Sequence, residues 1–228
     1  MADAESGWDF SPRCEMHQIE CAYVDLNSIL YRNEMNMAYF AEVLGKKEEK
    51  EWKQAALLRR QRMEQYLFDG NVYLDYNVVR QEHSPIFSVA SFYPLWAGVA
   101  TTEQAKKTVE NLHRLEYPYG ISTCEKGVRK TPYQWDYPNG WAPLQYIMVH
   151  ALERYGYRED AKRIAHKYID AMERIFAQTG TLWEKYNVTN GSLNVTNEYH
   201  MPPMLGWTAG VYVDFKEYVK KLEMDEIE

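Results

Sequence analysis

No run of about 18 or more apolar residues occurs anywhere in the chain, so a membrane-spanning helix is not expected. Cysteine is scarce: Cys14, Cys21 and Cys124 are the only three. An odd count argues against a complete disulfide framework, and Cys14 and Cys21 have no second pair with which to form a zinc knuckle. Positive charge is not in excess, with 26 Lys and Arg against 33 Asp and Glu, a net charge of −7. A broad nucleic-acid-binding surface is therefore not indicated. No repeat of fixed period is visible, which argues against a solenoid. The first five residues, Met1-Ala2-Asp3-Ala4-Glu5, carry neither a basic nor an apolar stretch and do not read as a signal peptide. These absences together lead to the expectation of a cytoplasmic protein with reduced thiols and no membrane or nucleic-acid partner.

What the chain does contain is apolar and aromatic material: 228 residues, 46% hydrophobic, with 19 Tyr and 7 Trp. That is enough to bury one sizeable core. The periodicity predicts helix after helix, with no strand pattern long enough for a major sheet. Asp25 is a candidate cap for a helix whose apolar positions are Leu26, Ile29, Leu30, Met37, Phe40 and Val43, closed by Gly45. A charged helix is expected over 46–67, and a short extended or hairpin piece over 72–79. Shorter helices are predicted over 92–98 and 102–115, the second capped by Thr101 or Thr102. Pro143 suits the first turn of a helix that Gly156 closes. A long amphipathic helix over 158–178 carries Ala161, Ile164, Ala165, Tyr168, Met172 and Ile175, and a last helix covers 208–222. One helical domain over 1–222 and a frayed acidic tail over 223–228 are the expected organisation. Long loops over 6–19, 68–90, 117–141 and 180–205 fall at alternate helix junctions, a spacing that would gather them at one end of a helical toroid.

One of those loops is unusually rich. Gln134-Trp135-Asp136-Tyr137-Pro138-Asn139-Gly140-Trp141-Ala142-Pro143 places two indoles, a carboxylate and a Pro-Asn-Gly turn within ten residues. An indole offers a flat apolar face and one N–H donor. A sugar ring has an apolar C–H face and a rim of hydroxyls, so Trp135 beside Asp136 suits a saccharide clamp. The same residues equally suit a buried aromatic loop that caps the next helix.

Carboxyl groups elsewhere complete a chemistry. Hydrolysis of a glycosidic bond takes a proton donor and either a nucleophile or an activated water. Two carboxyls serve if their surroundings separate their proton affinities. Asp9, between Trp8 and Phe10, is a candidate acid: apolar neighbours would keep it protonated. A helix N-cap is the other reading of the same residue. Glu184, followed by Lys185 and Tyr186, is a candidate base, since a nearby ammonium favours the carboxylate; a surface Glu–Lys pair is the alternative. Glu198 is a second candidate on the same loop. No step needs a metal or other cofactor, and the six His lack metal-site spacing. His150 and His166 fall within predicted helices. Arg13 is a candidate partner for a loop carboxylate or a structural residue.

Several of these stretches resemble, in order, segments of the trehalase family of glycoside hydrolases. Gln134 to Pro143 resembles the family's second signature, and Glu5-Ser6-Gly7-Trp8-Asp9-Phe10-Ser11 the segment of its general acid. Val24-Asp25-Leu26-Asn27-Ser28-Ile29-Leu30 and Phe92-Tyr93-Pro94-Leu95-Trp96 resemble helix starts. Glu184-Lys185-Tyr186-Asn187-Val188 resembles the segment of the general base, and Glu198-Tyr199 with Gly206-Trp207-Thr208-Ala209-Gly210-Val211 the closing motif. The resemblance implies an all-α (α/α)6 toroid-type barrel, of which this chain supplies the later half or more. It implies inverting hydrolysis of α,α-trehalose to two glucose molecules, with Asp9 as acid and Glu184 as base. Gly7, Trp135, Asp136 and Glu198 are then the substrate-binding candidates. Two departures qualify the match. Residues 191–197 replace a glycine-rich run, and 200–207 diverge from the usual lid sequence, which leaves room for another α-glucoside or an α-mannoside as substrate. The family's other signature and its upstream arginines are absent, so the chain reads as a C-terminal portion; the alternative to an active hydrolase is a fragment inactive without its N-terminal half, with self-association or that missing half as its partner.

Overall fold

The computed structural model describes residues 6–15, 17–127, 129, 133–203 and 206–225. Residues 1–5, 204–205 and 226–228, which include Glu5 of the acid segment, part of the divergent lid and the end of the expected tail, lie outside the described residues. Seven α-helices are found among them: α1 (Val24–Val43), α2 (Glu49–Leu67), α3 (Tyr93–Ala97), α4 (Thr102–Glu110), α5 (Ala142–Arg154), α6 (Arg158–Thr179) and α7 (Gly206–Asp225). The strands are two or three residues long: β1 (Cys21–Ala22), β2 (Tyr76–Asn77), β3 (Glu82–His83), β4 (Glu116–Tyr117), β5 (Gly120–Ile121), β6 (Asn139–Trp141) and β7 (Lys185–Asn187).

The helices form two rows. α1 packs on α3, α3 on α5, and α5 on α7, while α2 lies on α1, and α6 lies on both α5 and α7. Alternate helices thus make an inner row, and their chain neighbours an outer one. This is the layering of a helical toroid, present as an arc.

Local chemistry explains the individual elements. α4 begins with a capping box, in which the Thr101 hydroxyl accepts from the Gln104 N–H and the Gln104 side chain accepts from the Thr101 N–H. Pro143 sits in the first turn of α5, where its missing N–H costs nothing. α6 buries every one of its predicted apolar positions, from Ala161 to Ile175. Burying a side chain such as Ile164 or Met172 contributes about 1.5–3 kcal/mol. Gly180, in the left-handed conformation, closes α6. The predicted hairpin piece over 72–79 supplies β2, which pairs antiparallel with both β1 and β3. α7 runs to Asp225, into the segment expected to be a frayed tail.

α1 corrects its own expectation. The side chains buried on it are Val24, Asp25, Ser28, Ala38 and Ala41. Leu26, Ile29, Leu30, Met37, Phe40 and Val43, expected to face the core, are exposed, Phe40 by 52% and Val43 by 64%. Small residues let α1 approach α2 and α3 closely, and its large apolar side chains are left exposed. Asp25 is not the cap either. Tyr23 holds that position, and Asp25 lies in the first turn with its carboxylate turned to Arg13.

Each long loop leads into the N-terminus of an inner helix, so all four collect at one end of the arc. They are knitted together there. β1 joins β2, a bridge links Ser88 to Cys124, and β6 pairs with β7 from Asn139↔Asn187 to Trp141↔Lys185. Gly140 makes the last pairing possible, because a Cβ at this position would lie 2.4 Å from a Val188 methyl.

Candidate active site

The loop that carries Asp9 turns through two left-handed residues, Gly7 (φ 81°) and Phe10 (φ 58°), on either side of Trp8 and Asp9. Gly7 is exposed at this turn, where a side chain would be strained. Arg13 anchors the loop. Its guanidinium binds Asp25 through Nη1 (2.9 Å) and Nη2 (2.8 Å) and Asp75 through Nε (2.8 Å) and Nη2 (2.7 Å). It also lies 4.3 Å from the Trp8 ring centre. Both readings of Arg13 meet here: it ties a loop carboxylate, Asp75, to Asp25 at the start of α1.

The Gln134–Pro143 loop closes on itself. The Gln134 carbonyl accepts from Asn139 Nδ2 (2.9 Å) and from the Trp141 indole (3.2 Å). Trp135 stacks on Trp141 at 3.9 Å and 4°, and on its other side meets Trp8 at 5.6 Å. Its indole N–H donates to Asp9 Oδ1 (2.9 Å), and the Gln134 amide donates to Asp9 Oδ2 (3.1 Å). Two expectations change here. Asp9 meets a hydrogen-bond donor on each oxygen rather than a purely apolar wall. Trp135 is buried with both faces against other indoles, so it offers no free face for a sugar to stack on.

Asp136 points inward. Its carboxylate accepts from the Tyr137 N–H (2.7 Å) and from Arg129 Nε (3.1 Å). Burial pushes its pKa up, against the backbone hydrogen bond and the Arg129 charge, which pull it down. These contacts hold Asp136 within the loop and do not bring it to Asp9.

Glu184 reaches the site from the strand β7 side and is buried. Its Oε2 accepts from the Lys185 ammonium (2.7 Å), and its Oε1 accepts from the Tyr199 hydroxyl (2.7 Å). The Lys185 side chain is fully buried, 4.7 Å from the Trp141 ring centre and 4.9 Å from that of Tyr199. The pair is thus an internal ion pair boxed in by aromatic rings, the kind that is costly to break from one side. It is not the surface pair of the alternative reading.

Tyr199 closes the circuit. Burial, the hydrogen bond to Glu184 and the negative charges of Glu184 and Asp9 raise its pKa far above the ordinary range, and the nearby Gln134 amide opposes the rise. The Gln134 amide donates to Asp9, the Tyr199 hydroxyl donates to Glu184, and Tyr199 lies within reach of the charges of both carboxyls. Asp9 and Glu184, 175 positions apart in the sequence, belong to one cluster. Glu198 is exposed beside Tyr199 on the strandless segment over 188–203. Lys185 reads in the sequence as the ammonium beside Glu184 but not as fully buried, and Tyr199 as part of the closing motif but not as the donor to Glu184. A cavity of about 550 Å³ is lined by Ala22, Asn27, Arg62, Tyr66 and Tyr76, and neither carboxyl lines it.

Two carboxyl groups thus belong to one hydrogen-bonded cluster at the loop end of a helical arc. Comparison makes the assignment specific. The trehalase family profile matches residues 1–220, and the chain belongs to the trehalase family. It is 36% identical over 208 residues to the cytosolic neutral trehalase of Kluyveromyces lactis, covering 82% of this chain and 28% of that protein. It is 34% identical over 221 residues to a periplasmic trehalase of Xanthomonas oryzae, covering 92% and 38%. Neutral trehalase Nth1 from Saccharomyces cerevisiae superposes with a TM-score of 0.81 at 32% identity, over 93% of this chain and 40% of that one. A GH63 mannosylglycerate hydrolase from Thermus thermophilus shares the fold, with a TM-score of 0.68 at 18% identity over 86% and 44%. The arc is therefore part of an (α/α)6 barrel. The chain spans roughly a quarter to two-fifths of the length of the trehalases it matches.

Proposed function

We propose that this chain forms the catalytic end of an inverting hydrolase of α,α-trehalose, with Asp9 as the general acid and Glu184 as the general base. The observation that carries the proposal is the short chain of neighbours from Asp9, which accepts from Gln134, to Tyr199, which is within reach of the Asp9 charge and donates to Glu184. A phenol oxygen fits within that chain, and a water is no larger. Inversion requires room for a water between base and sugar.

In this reading Glu184 takes a proton from the water as it attacks one anomeric carbon. Asp9 gives its proton to the departing oxygen. Lys185 compensates the Glu184 charge in a buried setting, where a lone carboxylate would be strongly disfavoured. Trp135 and Gln134 hold the Asp9 carboxyl in a fixed orientation. Gly7 and Glu198, both exposed near the carboxyls, are the remaining sugar-contact candidates. Asp136 is assigned to holding the loop.

Substrate and activity come to this chain from relatives about two and a half to more than three times its length, so turnover is assigned to a complete barrel. The long exposed side chains of α1 support a reading in which the arc needs a further helical layer. Relatives include both cytosolic and periplasmic enzymes, so compartment stays a proposal, cytoplasmic by the sequence reading. No helix among the described residues is long and apolar enough to cross a membrane.

The test is the anomeric outcome, read by proton NMR in the first minutes of reaction with the intact gene product. Attack with inversion at one carbon and departure of the other sugar unchanged must yield β- and α-glucose in equal amounts. An initial product that is all α contradicts inversion, and turnover of another glycoside with none of trehalose rejects the substrate.

A further inference from the structure

The Tyr199 hydroxyl occupies the oxygen on which the proposed base must work. Glu184 has two carboxylate oxygens. Oε2 is committed to the buried Lys185 ammonium at 2.7 Å, and Oε1 accepts from Tyr199 at 2.7 Å. A general base takes its proton on an oxygen within hydrogen-bond reach of the water. While the phenol donates to Oε1, no water can donate there along the same direction.

The surroundings fit a removable group. Tyr199 is 45% exposed, whereas Glu184 and Lys185 are buried. Its segment is tied down on both sides, at Thr196, whose carbonyl accepts from Asn139 Nδ2 (3.0 Å), and at Pro203, which bridges to Trp183. The residues between these anchors form neither helix nor strand. The charged and titratable groups facing the phenol are Glu184 and Lys185 from β7 and its preceding loop, and Asp9 from the loop before α1.

We propose that Tyr199 caps the base in the free enzyme and that a bound sugar displaces its hydroxyl, leaving Oε1 open to the hydrolytic water. The proposal rests on Glu184 being the base. The phenol stands in for the water and takes no part in bond cleavage. Breaking its hydrogen bond is then a cost charged to substrate binding and not to the chemical step.

Tyr199→Phe in the intact gene product separates the possibilities, with Glu184→Gln beside it as the control for the base. The cap predicts that Tyr199→Phe lowers KM about tenfold, as expected for one charge-assisted hydrogen bond no longer broken on binding. It predicts kcat within about threefold of the parent, because the phenol has already left when the water attacks. It also predicts that the acidic limb of kcat/KM, which reports the free enzyme, moves to higher pH while that of kcat stays in place. A fall in kcat of a hundredfold or more at unchanged KM, or both limbs moving together, overturns the cap and makes the phenol a participant in turnover. Unchanged KM, kcat and pH limbs overturn it as well. If Glu184→Gln turns over normally, the assignment of the base fails and the cap fails with it. If Glu184→Gln is inactive and the KM–kcat split is missing, only the cap fails. Circular dichroism and thermal melting of each variant, with Tyr199→Leu as a second removal of the hydroxyl, exclude misfolding as the source of either result.

Discussion

The Trp135 indole N–H donates to Asp9 Oδ1 across 2.9 Å, joining residues that lie 126 positions apart. With its faces stacked on Trp141 and Trp8, the ring works through its edge. Trp135→Phe keeps a ring in the stack and removes only the donor. The expected result is a fall in kcat of about 10- to 100-fold from a less well held acid, with KM changed less than threefold. Steady-state kinetics decides this, and a raised KM at normal kcat would restore the sugar-clamp role instead.

Lys185 gives a prediction that needs no turnover. Lys185→Met leaves Glu184 buried beside apolar neighbours, and breaking a buried pair from one side costs about 3–5 kcal/mol. Urea unfolding should show a loss of that order. The double variant with Glu184→Gln should recover much of it, because the uncompensated charge has gone. Additive losses would mean that the two side chains do not form a coupled pair.

Glu116 carries an acid-sensitive part of the stability. Burial tends to raise its pKa, but hydrogen bonds and charge from Arg163 and Lys167 outweigh burial and hold it below the ordinary value of 4.5. A carboxyl with a depressed folded pKa contributes stability that is present above its unfolded value and lost as pH falls through the folded one. Glu116→Gln should therefore be less stable than the parent at pH 7, with the gap closing below about pH 4. Urea midpoints measured across that range check the sign. A gap that widens in acid would contradict it.

The apolar edge of α1 predicts association. Leu26, Ile29, Leu30, Met37, Phe40 and Val43 are exposed on one helix, more than a stable monomer usually shows. The 228-residue chain alone should form oligomers by light scattering, and Leu30→Glu with Phe40→Glu should shift it to monomer. A monomeric parent at about 50 μM would refute this.

Legibility in the sequence followed where the packing partners lie. α6 was readable because both of its neighbours are within the chain: the stripe from Ala161 to Ile175 is the buried one. α4 was readable because Thr101 and Gln104 cap it locally. α1 was misread because its large apolar side chains are exposed, and periodicity reports a face without saying what covers it. The segments around Asp9 and Glu184 singled them out, and the fold brings both into one cluster. The use of Trp135 was not, since an indole can present a face or an N–H and only the third dimension chooses. Tyr199 was hidden for a related reason: it meets Glu184 only after the 184–199 loop folds back.

The most direct measurement is trehalose turnover by Glu184→Ala in the intact gene product, with and without sodium azide. Azide is a small anion that attacks without a base, from the face the activated water would use. The account predicts almost no turnover without azide, and with it a restored rate and a β-glucosyl azide product. Near-normal glucose release by Glu184→Ala in plain buffer, or an azide product of α configuration, would contradict the assignment of Glu184 and the inverting geometry.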